Sequence, residues 1–358
     1  MPTLLNRLGI LLPIIQAPMA GVSTPELAAA VSNAGALGSI AVGAVDAARA
    51  RTMISNVRAA TDRPFNVNVF VHASPSPDLT REANWLAGLA PSFHAFGVAP
   101  PSSLRSIYKS FNEDDAMLMT LVEAAPAAVS FHFGLPDPDR IAVLKATGAV
   151  LLASVTNLTE AMAAKHAGID AVVAQGFEAG GHRGIFNPDA PDDCLSTSVL
   201  TRLLVQKLDM PVIAAGGIMD GAGIAAALSL GAVAAQLGTA FIACPESSAD
   251  LAYRAALLNS DTIDTVHTVM TTAISGRPAR CLVNRFTELG ADLTDLPRPD
   301  YPIAYDAGKA LHAAASAKGE FGYGAHWAGQ GAPLARSMPA GQLVETLAGE
   351  LRTVSGDG

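Results

Sequence analysis

Along the 358-residue chain, short apolar runs recur between Gly, Pro and Asn, and the longer stretches between them carry a helical period. Eight runs predict strands: 14–17 (IIQA), 37–42 (LGSIAV), 65–71 (FNVNVFV), 127–133 (AAVSFHF), 149–155 (AVLLASV), 171–176 (AVVAQG), 212–216 (VIAAG) and 234–241 (AAQLGTAF). Most are almost continuously apolar, the pattern of strands covered on both faces. The stretches between them carry helix start and stop signals. Residues 25–34 follow Ser23-Thr24, place Pro25 in the first turn and end at Gly35. Residues 157–167 open at Asn157, set Glu160 at capping-box spacing and stop at Gly168. Residues 220–230 repeat the plan from Asp220 to Gly231. Strand and helix in alternation predict βα units on a parallel sheet. Eight such units are the number of a (β/α)8 TIM barrel; a doubly wound sheet of similar size is the alternative.

Two stretches break the alternation. Residues 72–126 are long for one connection and contain several Pro and Ser. Residues 245–320 follow the eighth strand and hold helical runs around Ala249–Asn259 and Asp306–Ala317. The second stretch is expected to be a mostly helical insertion over the barrel mouth, with residues 1–244 and 321–358 forming the barrel and 335–352 a closing amphipathic helix. Barrel active sites lie at the C-terminal ends of the strands, so such a cap would shield the site.

Composition acts mainly by exclusion. Hydrophobic residues make up 50% and charged residues 15%, so the chain can bury a large core. A net charge of −9 argues against nucleic acid, whose phosphates need clustered Lys and Arg. It does not prevent local anion binding by backbone N–H groups. Cys194, Cys244 and Cys281 are far apart, with no CxxC pair, which fits reduced thiols in a cytoplasmic protein rather than zinc or a disulfide framework. The uncharged segments 8–25 and 221–245 are interrupted by Pro or by Gly and Gln, and read as buried faces rather than membrane segments. No HExxH, G-x-S-x-G or Walker loop occurs, so metal, serine-hydrolase and triphosphatase readings fall away.

The remaining chemistry sits at the strand ends. Strand seven ends in Ala215-Gly216-Gly217 and strand eight carries Gln236-Leu237-Gly238-Thr239. Barrels often hold a phosphate at these two loops, where glycines let backbone N–H groups approach; the plain alternative is tight turns. Strand six runs into Gln175-Gly176 and then Gly180-Gly181-His182-Arg183-Gly184. A histidine there can exchange protons near neutral pH, or be only a solvated loop residue. Asn66 and Asn68 share one face of an apolar strand, and buried amides must find partners. His132 closes strand four, where core packing competes with a place in the pocket.

Taken in order, Ile15-Gln16-Ala17-Pro18-Met19-Ala20-Gly21, Phe65-Asn66-Val67-Asn68, Gln175-Gly176 with Glu178-Ala179-Gly180-Gly181-His182, Ala215-Gly216-Gly217-Ile218 and Gln236-Leu237-Gly238-Thr239-Ala240-Phe241 resemble the nitronate monooxygenases, formerly 2-nitropropane dioxygenases. Gly181-His182-Arg183-Gly184 and the tail Trp327-Ala328-Gly329-Gln330 with Leu334-Ala335-Arg336 resemble the class I branch. The resemblance implies non-covalent FMN, held by Asn68, Gln175, Gly180, Gly181, Gly216, Gly217, Gln236, Leu237, Gly238 and Thr239, with Met19 and Ala20 against the ring. It implies His182 as the catalytic residue, and a pocket lined by Tyr108, His132, Tyr253, Tyr301 and Lys309, with Tyr305 competing with Tyr301. The implied substrates are a small anionic alkyl nitronate, such as propionate 3-nitronate, and O2. Two other readings use the same cradle: an NAD(P)H:quinone or enoyl reductase with FMN, and a flavin-free, phosphate-binding barrel lyase.

Overall fold

The computed structural model describes residues 3–258 and 266–356; Asn259, the end of one expected helical run, lies outside them. Eight parallel strands form the body: β1 (Ile14–Gln16), β2 (Gly38–Ala41), β3 (Phe65–Phe70), β4 (Ala128–His132), β5 (Val150–Val155), β6 (Ala171–Gln175), β7 (Val212–Ala215) and β8 (Ala234–Leu237). They pair in the order β1-β8-β7-β6-β5-β4-β3-β2. The ring closes through the Ile15–Leu37 bridge, where the Gln16 N–H donates to the Leu37 carbonyl at 2.9 Å. The first strand therefore touches both the second and the eighth, which makes a TIM barrel and excludes a doubly wound sheet.

Period-two alternation sorts the strand residues. Val67, Val69, Leu151, Ala153, Val172 and Ala174 pack outward against the helices. Ile15, Leu37, Leu152, Val173 and Ile213 fill the interior, and the helix Leu4–Leu8 plugs its lower end. Above this apolar layer the interior is polar. Asn66 Nδ2 donates to Ser39 Oγ at 3.2 Å and Ser130 Oγ at 2.9 Å, while Gln16, on the opposite face of β1 from Ile15, closes the seam to β2 by accepting from Ser39 N–H at 2.8 Å. The helices that surround the barrel begin where their caps predict. Asn157 accepts from Glu160 N–H at 2.9 Å and Asp220 from Gly223 N–H at 2.8 Å. The Glu160 side chain departs from the capping-box expectation: its carboxylate takes the N–H of Thr156 at 2.7 Å and of Phe186 at 2.8 Å, tying β5 to the loop after β6.

One expectation is corrected. The apolar run 234–241 is not one strand: β8 stops at Leu237, and Thr239–Ile242 forms a helical turn. Beyond Leu237 the ladder has no partner, because β1 ends at Gln16 and β7 at Ala215, so Ala240, Phe241 and Ile242 bury their side chains helically. The regular structure of segment 245–320 is mostly helical, as expected. Besides helices Leu251–Leu258, Arg285–Asp292 and Ile303–Ser316 it contributes two short antiparallel strands, β9 (Thr268–Thr271) and β10 (Ala279–Leu282). Its apolar core is shared with helix Leu79–Ala95 from the other irregular stretch: Trp85, Leu89 and Phe93 pack with Phe286, Ile303 and Leu311.

Helix Pro25–Asn33 lies on β2 at backbone contact. A Cβ on Gly38 would stand 1.9 Å from the Ala28 carbonyl oxygen. Gly38→Ala is therefore expected to lower stability by about 3 kcal/mol, the upper end for overpacking. A urea midpoint indistinguishable from the parent chain would contradict this contact.

Candidate active site

The inward residues at the strands' C-terminal ends, Phe70, His132, Ser154, Gln175, Ala215 and Gln236, ring a cavity of about 430 Å³ beneath the cap. Among the described residues its lining includes one lysine and no Asp or Glu. Met19, Ala20, Asn68, Gln175, Gly180, Gly181, Gly216, Gly217, Gln236, Gly238 and Thr239 all line it, as do Tyr108, His132, His182, Tyr253, Tyr301 and Lys309. Tyr301 and Tyr305 both reach it. Leu237 does not: alternation turns its side chain outward, into the core with Ile14 and Phe241.

The loop after β6 carries His182, and its conformation is built by Arg183. That guanidinium is only 1% exposed. It makes a fork on Asp192, Nε to Oδ2 at 2.7 Å and Nη2 to Oδ1 at 3.0 Å. Its Nη1 donates to the carbonyls of Gln175 at 2.9 Å and Gly176 at 3.0 Å. Gln175 then folds back, donating to the His182 carbonyl at 2.9 Å and accepting from Gly184 N–H at 2.7 Å. From the other side β10 pairs Ala279 with His182, and a Cβ on Gly180 would meet Gly329 N at 2.4 Å. The glycines permit close packing; the guanidinium sets the shape.

The imidazole of His182 is part-buried among aromatic rings, 5.0 Å from Trp327, 5.4 Å from Tyr301 and 5.5 Å from Phe133 between centroids. Its Nε2 meets Ser275 Oγ at 2.9 Å. The Ser275 hydroxyl has the Arg277 carbonyl at 3.2 Å as an acceptor. A proton donated there makes Ser275 the acceptor of His182 Nε2–H, which leaves Nδ1 as a lone pair on a ring that lines the cavity. Burial pushes His182 well below the ordinary imidazole value, with His132 and Arg277 adding to it, so the ring is neutral. Burial also takes His132 down to about 4, although its Nε2–H donates to the His182 carbonyl at 3.1 Å. The phenols of Tyr108, Tyr301 and Tyr305 are pushed above the ordinary tyrosine value by burial and stay protonated. Lys309 Nζ stands 5.1 Å over the Tyr108 ring and 5.4 Å over Tyr305. Tyr253 gives its hydroxyl proton to the Trp327 carbonyl, so it shapes the wall rather than offering a free donor.

At the opposite wall the backbone turns are glycine-dependent. Gly216 and Gly217 have φ of 127° and 69°, and a Cβ on Gly216 would stand 2.6 Å from Thr197 Oγ1. Beside them the turn Thr239–Ile242 opens with N–H groups that have no intrahelical acceptor. Asn68 spends its amide protons on Ser130, at 3.1 Å to O and 2.9 Å to Oγ, which leaves Oδ1 for a donor in the cavity. Ser275, Arg277, Phe70 and Phe133 escape the reading of the sequence, since each meets His182 or the cavity only through distant chain segments.

Three comparisons place this geometry. A family model described as nitronate monooxygenase matches residues 2–350. A nitronate monooxygenase from Paraburkholderia phytofirmans is 62% identical over 98% of this chain and 94% of its own, and one from Pseudomonas aeruginosa 54% identical over 96% and 97%. The solved structure of nitroalkane oxidase from Streptomyces ansochromogenes superposes with a TM-score of 0.87 at 41% identity, covering 97% of this chain and 98% of that one.

The Arg183–Asp192 fork has two measurable consequences. Burial alone would raise the Asp192 carboxyl, but the hydrogen bonds from Arg183 and from Cys194 N–H outweigh it and hold it below the ordinary 3.8. A depressed carboxyl stabilises the fold above its unfolded value, and that contribution disappears as pH falls through its folded value. Arg183→Lys, which keeps the charge and loses the fork, is expected to cost about 3 kcal/mol and to open 185–195 to proteases. The cost should shrink as pH falls from 3.8 through the lower folded value at which Asp192 takes up its proton; a pH-independent difference would refute the pair as its source.

Proposed function

This chain belongs to the nitronate monooxygenase family, and on that basis we propose that it is an FMN-dependent oxidoreductase that oxidises a small alkyl nitronate, such as propionate 3-nitronate, with O2 to an aldehyde and nitrite. The observation that carries this reading is a His182 that burial keeps neutral, its Nδ1 without a partner among the described residues, on a cavity whose lining among those residues holds Lys309 and no carboxylate. An anionic carbon acid fits such a cavity. Lys309 and the protonated phenols of Tyr108, Tyr301 and Tyr305 would hold its negative groups. His182 would remove the α-proton of a neutral nitroalkane at Nδ1, with Ser275 holding the opposite edge of the ring.

The residues present fit FMN. The turns at Gly216-Gly217 and Gly238-Thr239 offer backbone N–H groups to a phosphate, and Met19 and Ala20 form a small, flat wall. Asn68 Oδ1 and the amide of Gln236 line the same cavity and would be available to polar groups on the edge of a flavin ring. FMN held by these residues would supply the redox chemistry between substrate and O2. Gln175 supports this site indirectly, since its amide is committed to the His182 loop. Among the described residues no helix is long and apolar enough to cross a membrane.

The purified protein is expected to be yellow, and anaerobic propionate 3-nitronate to bleach it while NADH does not. Rapid bleaching by NADH would overturn the reading in favour of a reductase, and a colourless protein that cannot be reconstituted would overturn both. His182→Asn should keep the flavin and lose turnover by about 10²-fold or more. Gly238→Asp should lose the flavin with the fold intact, because the nearest atom to its added Cβ, Ala17 Cβ, is at an ordinary 3.4 Å. Because His182 lies well below 6.5, activity should stay flat from about pH 8 to below that value and fall only as the ring protonates. A midpoint at or above 6.5 would exclude a neutral, desolvated His182.

A further inference from the structure

Behind the cavity wall lies a second cation that no part of the proposed chemistry uses. Arg277 sits in the turn between β9 and β10 and is 2% exposed. Among the described residues no carboxylate oxygen comes within 4.0 Å of it. Its Nη2 donates to the Ile185 carbonyl, and its Nε is buried without a partner. The guanidinium lies 4.3 Å above the ring centroid of Phe133. Phe133 lines the cavity and Arg277 does not, so the ring stands between the charge and the cavity. Phe133 takes up this position with φ of 77°, a backbone region that a bulky side chain enters only under constraint. On the cavity side, His182 and Tyr301 are 5.5 Å and 5.2 Å from the same ring.

A buried guanidinium without a carboxylate is unfavourable, and the one hydrogen bond to Ile185 could come from an uncharged amide. We propose that Arg277 is a positioning residue acting through space: a permanent cation, sealed behind Phe133, that biases the cavity toward an anionic occupant and opposes positive charge on the facing imidazoles. The identity of the anion rests on the nitronate reading; the field does not.

The other charged groups in this neighbourhood oppose it only in part. Arg183 is paired with Asp192, and the Glu160 carboxylate accepts from the backbone of Thr156 and Phe186 while keeping its charge. Tyr301, Glu160 and Asp189 act on Arg277 in the direction that favours its charge, and burial outweighs them. On the cap side the groups facing His182 are the protonated phenols of Tyr301 and Tyr305, with Tyr108 and the Lys309 ammonium beyond them. His72, edge-on to Tyr301 at 5.1 Å, faces Arg277 and Glu113. Burial is the first cause that lowers His72, His132 and His182, and Arg277 adds to it in all three.

The test compares Arg277→Gln, which keeps a donor and loses the charge, with Arg277→Lys, which keeps the charge. The first readout is the pH titration of the histidine Cε1 protons by NMR on the flavin-loaded protein, with His182→Asn assigning one resonance. In Arg277→Gln the His182 and His132 midpoints should rise by about one pH unit, and in Arg277→Lys they should return toward the parent values. The second readout is steady-state kinetics: KM for propionate 3-nitronate should rise about tenfold in the Gln variant, more than kcat changes, and recover with Lys. Unchanged histidine midpoints in a folded Gln variant, or equal effects of Gln and Lys, would overturn the proposal. Arg277→Met replaces Gln should that variant not fold; failure of both neutral variants beside a folded Lys variant would assign Arg277 to folding instead. If nitronate is not a substrate at all, the histidine titration still decides the question.

Discussion

The candidate site depends on one guanidinium. A loop that contains Gly176, Gly180, Gly181 and Gly184 has little intrinsic preference for any one path. Arg183 gives it one, by joining Asp192 to the carbonyls that end β6. Planar fork geometry matters here: both edges of the guanidinium are used at once, in a place where an unpaired charge would be costly. Gln175 extends the same clamp to Gly184 N–H and the His182 carbonyl, and His132 donates to that carbonyl as well. The catalytic candidate is thus held by its backbone, which leaves its ring free to be positioned by Ser275 and the surrounding aromatics.

Charge in this protein is arranged locally rather than globally. The chain carries −9 overall, yet the cavity lining contains no acid among the described residues. Net charge governs long-range behaviour, whereas what a cavity binds is set by the few groups within a Debye length that water does not screen. Those groups are Lys309 at the cap, backbone N–H groups at the glycine turns, and imidazoles that burial keeps neutral. A neutral imidazole can accept a proton from a guest that enters as a carbon acid, which a cationic ring cannot.

Much of the barrel was legible because its rules are local. Period-two alternation separates Asn66 and Asn68 from Val67 and Val69, and Asn157 and Asp220 mark helix starts by chemistry available within four residues. The end of β8 was not legible, because an apolar run looks the same in a strand and in a buried helical turn; only the lengths of its neighbours β1 and β7 decide where pairing stops. The partners of His182 were not legible for a different reason. Ser275 lies 93 residues away in sequence, on a turn between two four-residue strands whose burial hardly alternates. The box of Tyr108, Tyr301, Tyr305 and Lys309 could be anticipated as residue types from the family resemblance, but not their mutual packing, which depends on helix Leu79–Ala95 docking onto Ile303–Ser316.

This division has a functional consequence. The groups proposed to hold the cofactor come from barrel strand ends, where eight-fold pairing makes the backbone rigid and its N–H positions predictable. The groups that would choose a substrate, Tyr301, Tyr305, Lys309 and Ser275, come from the cap, as does Arg277. A barrel rim of this kind can serve oxidation or reduction equally, since a fold does not dictate a reaction. What would commit this chain to the proposed anionic guest is therefore the cap. It contributes the lysine, encloses His182 in aromatic surfaces that keep its ring neutral, and supplies through Ser275 the contact that leaves Nδ1 as the free edge. Exchange of the cap segment while the barrel is kept would alter the substrate before it altered the cofactor.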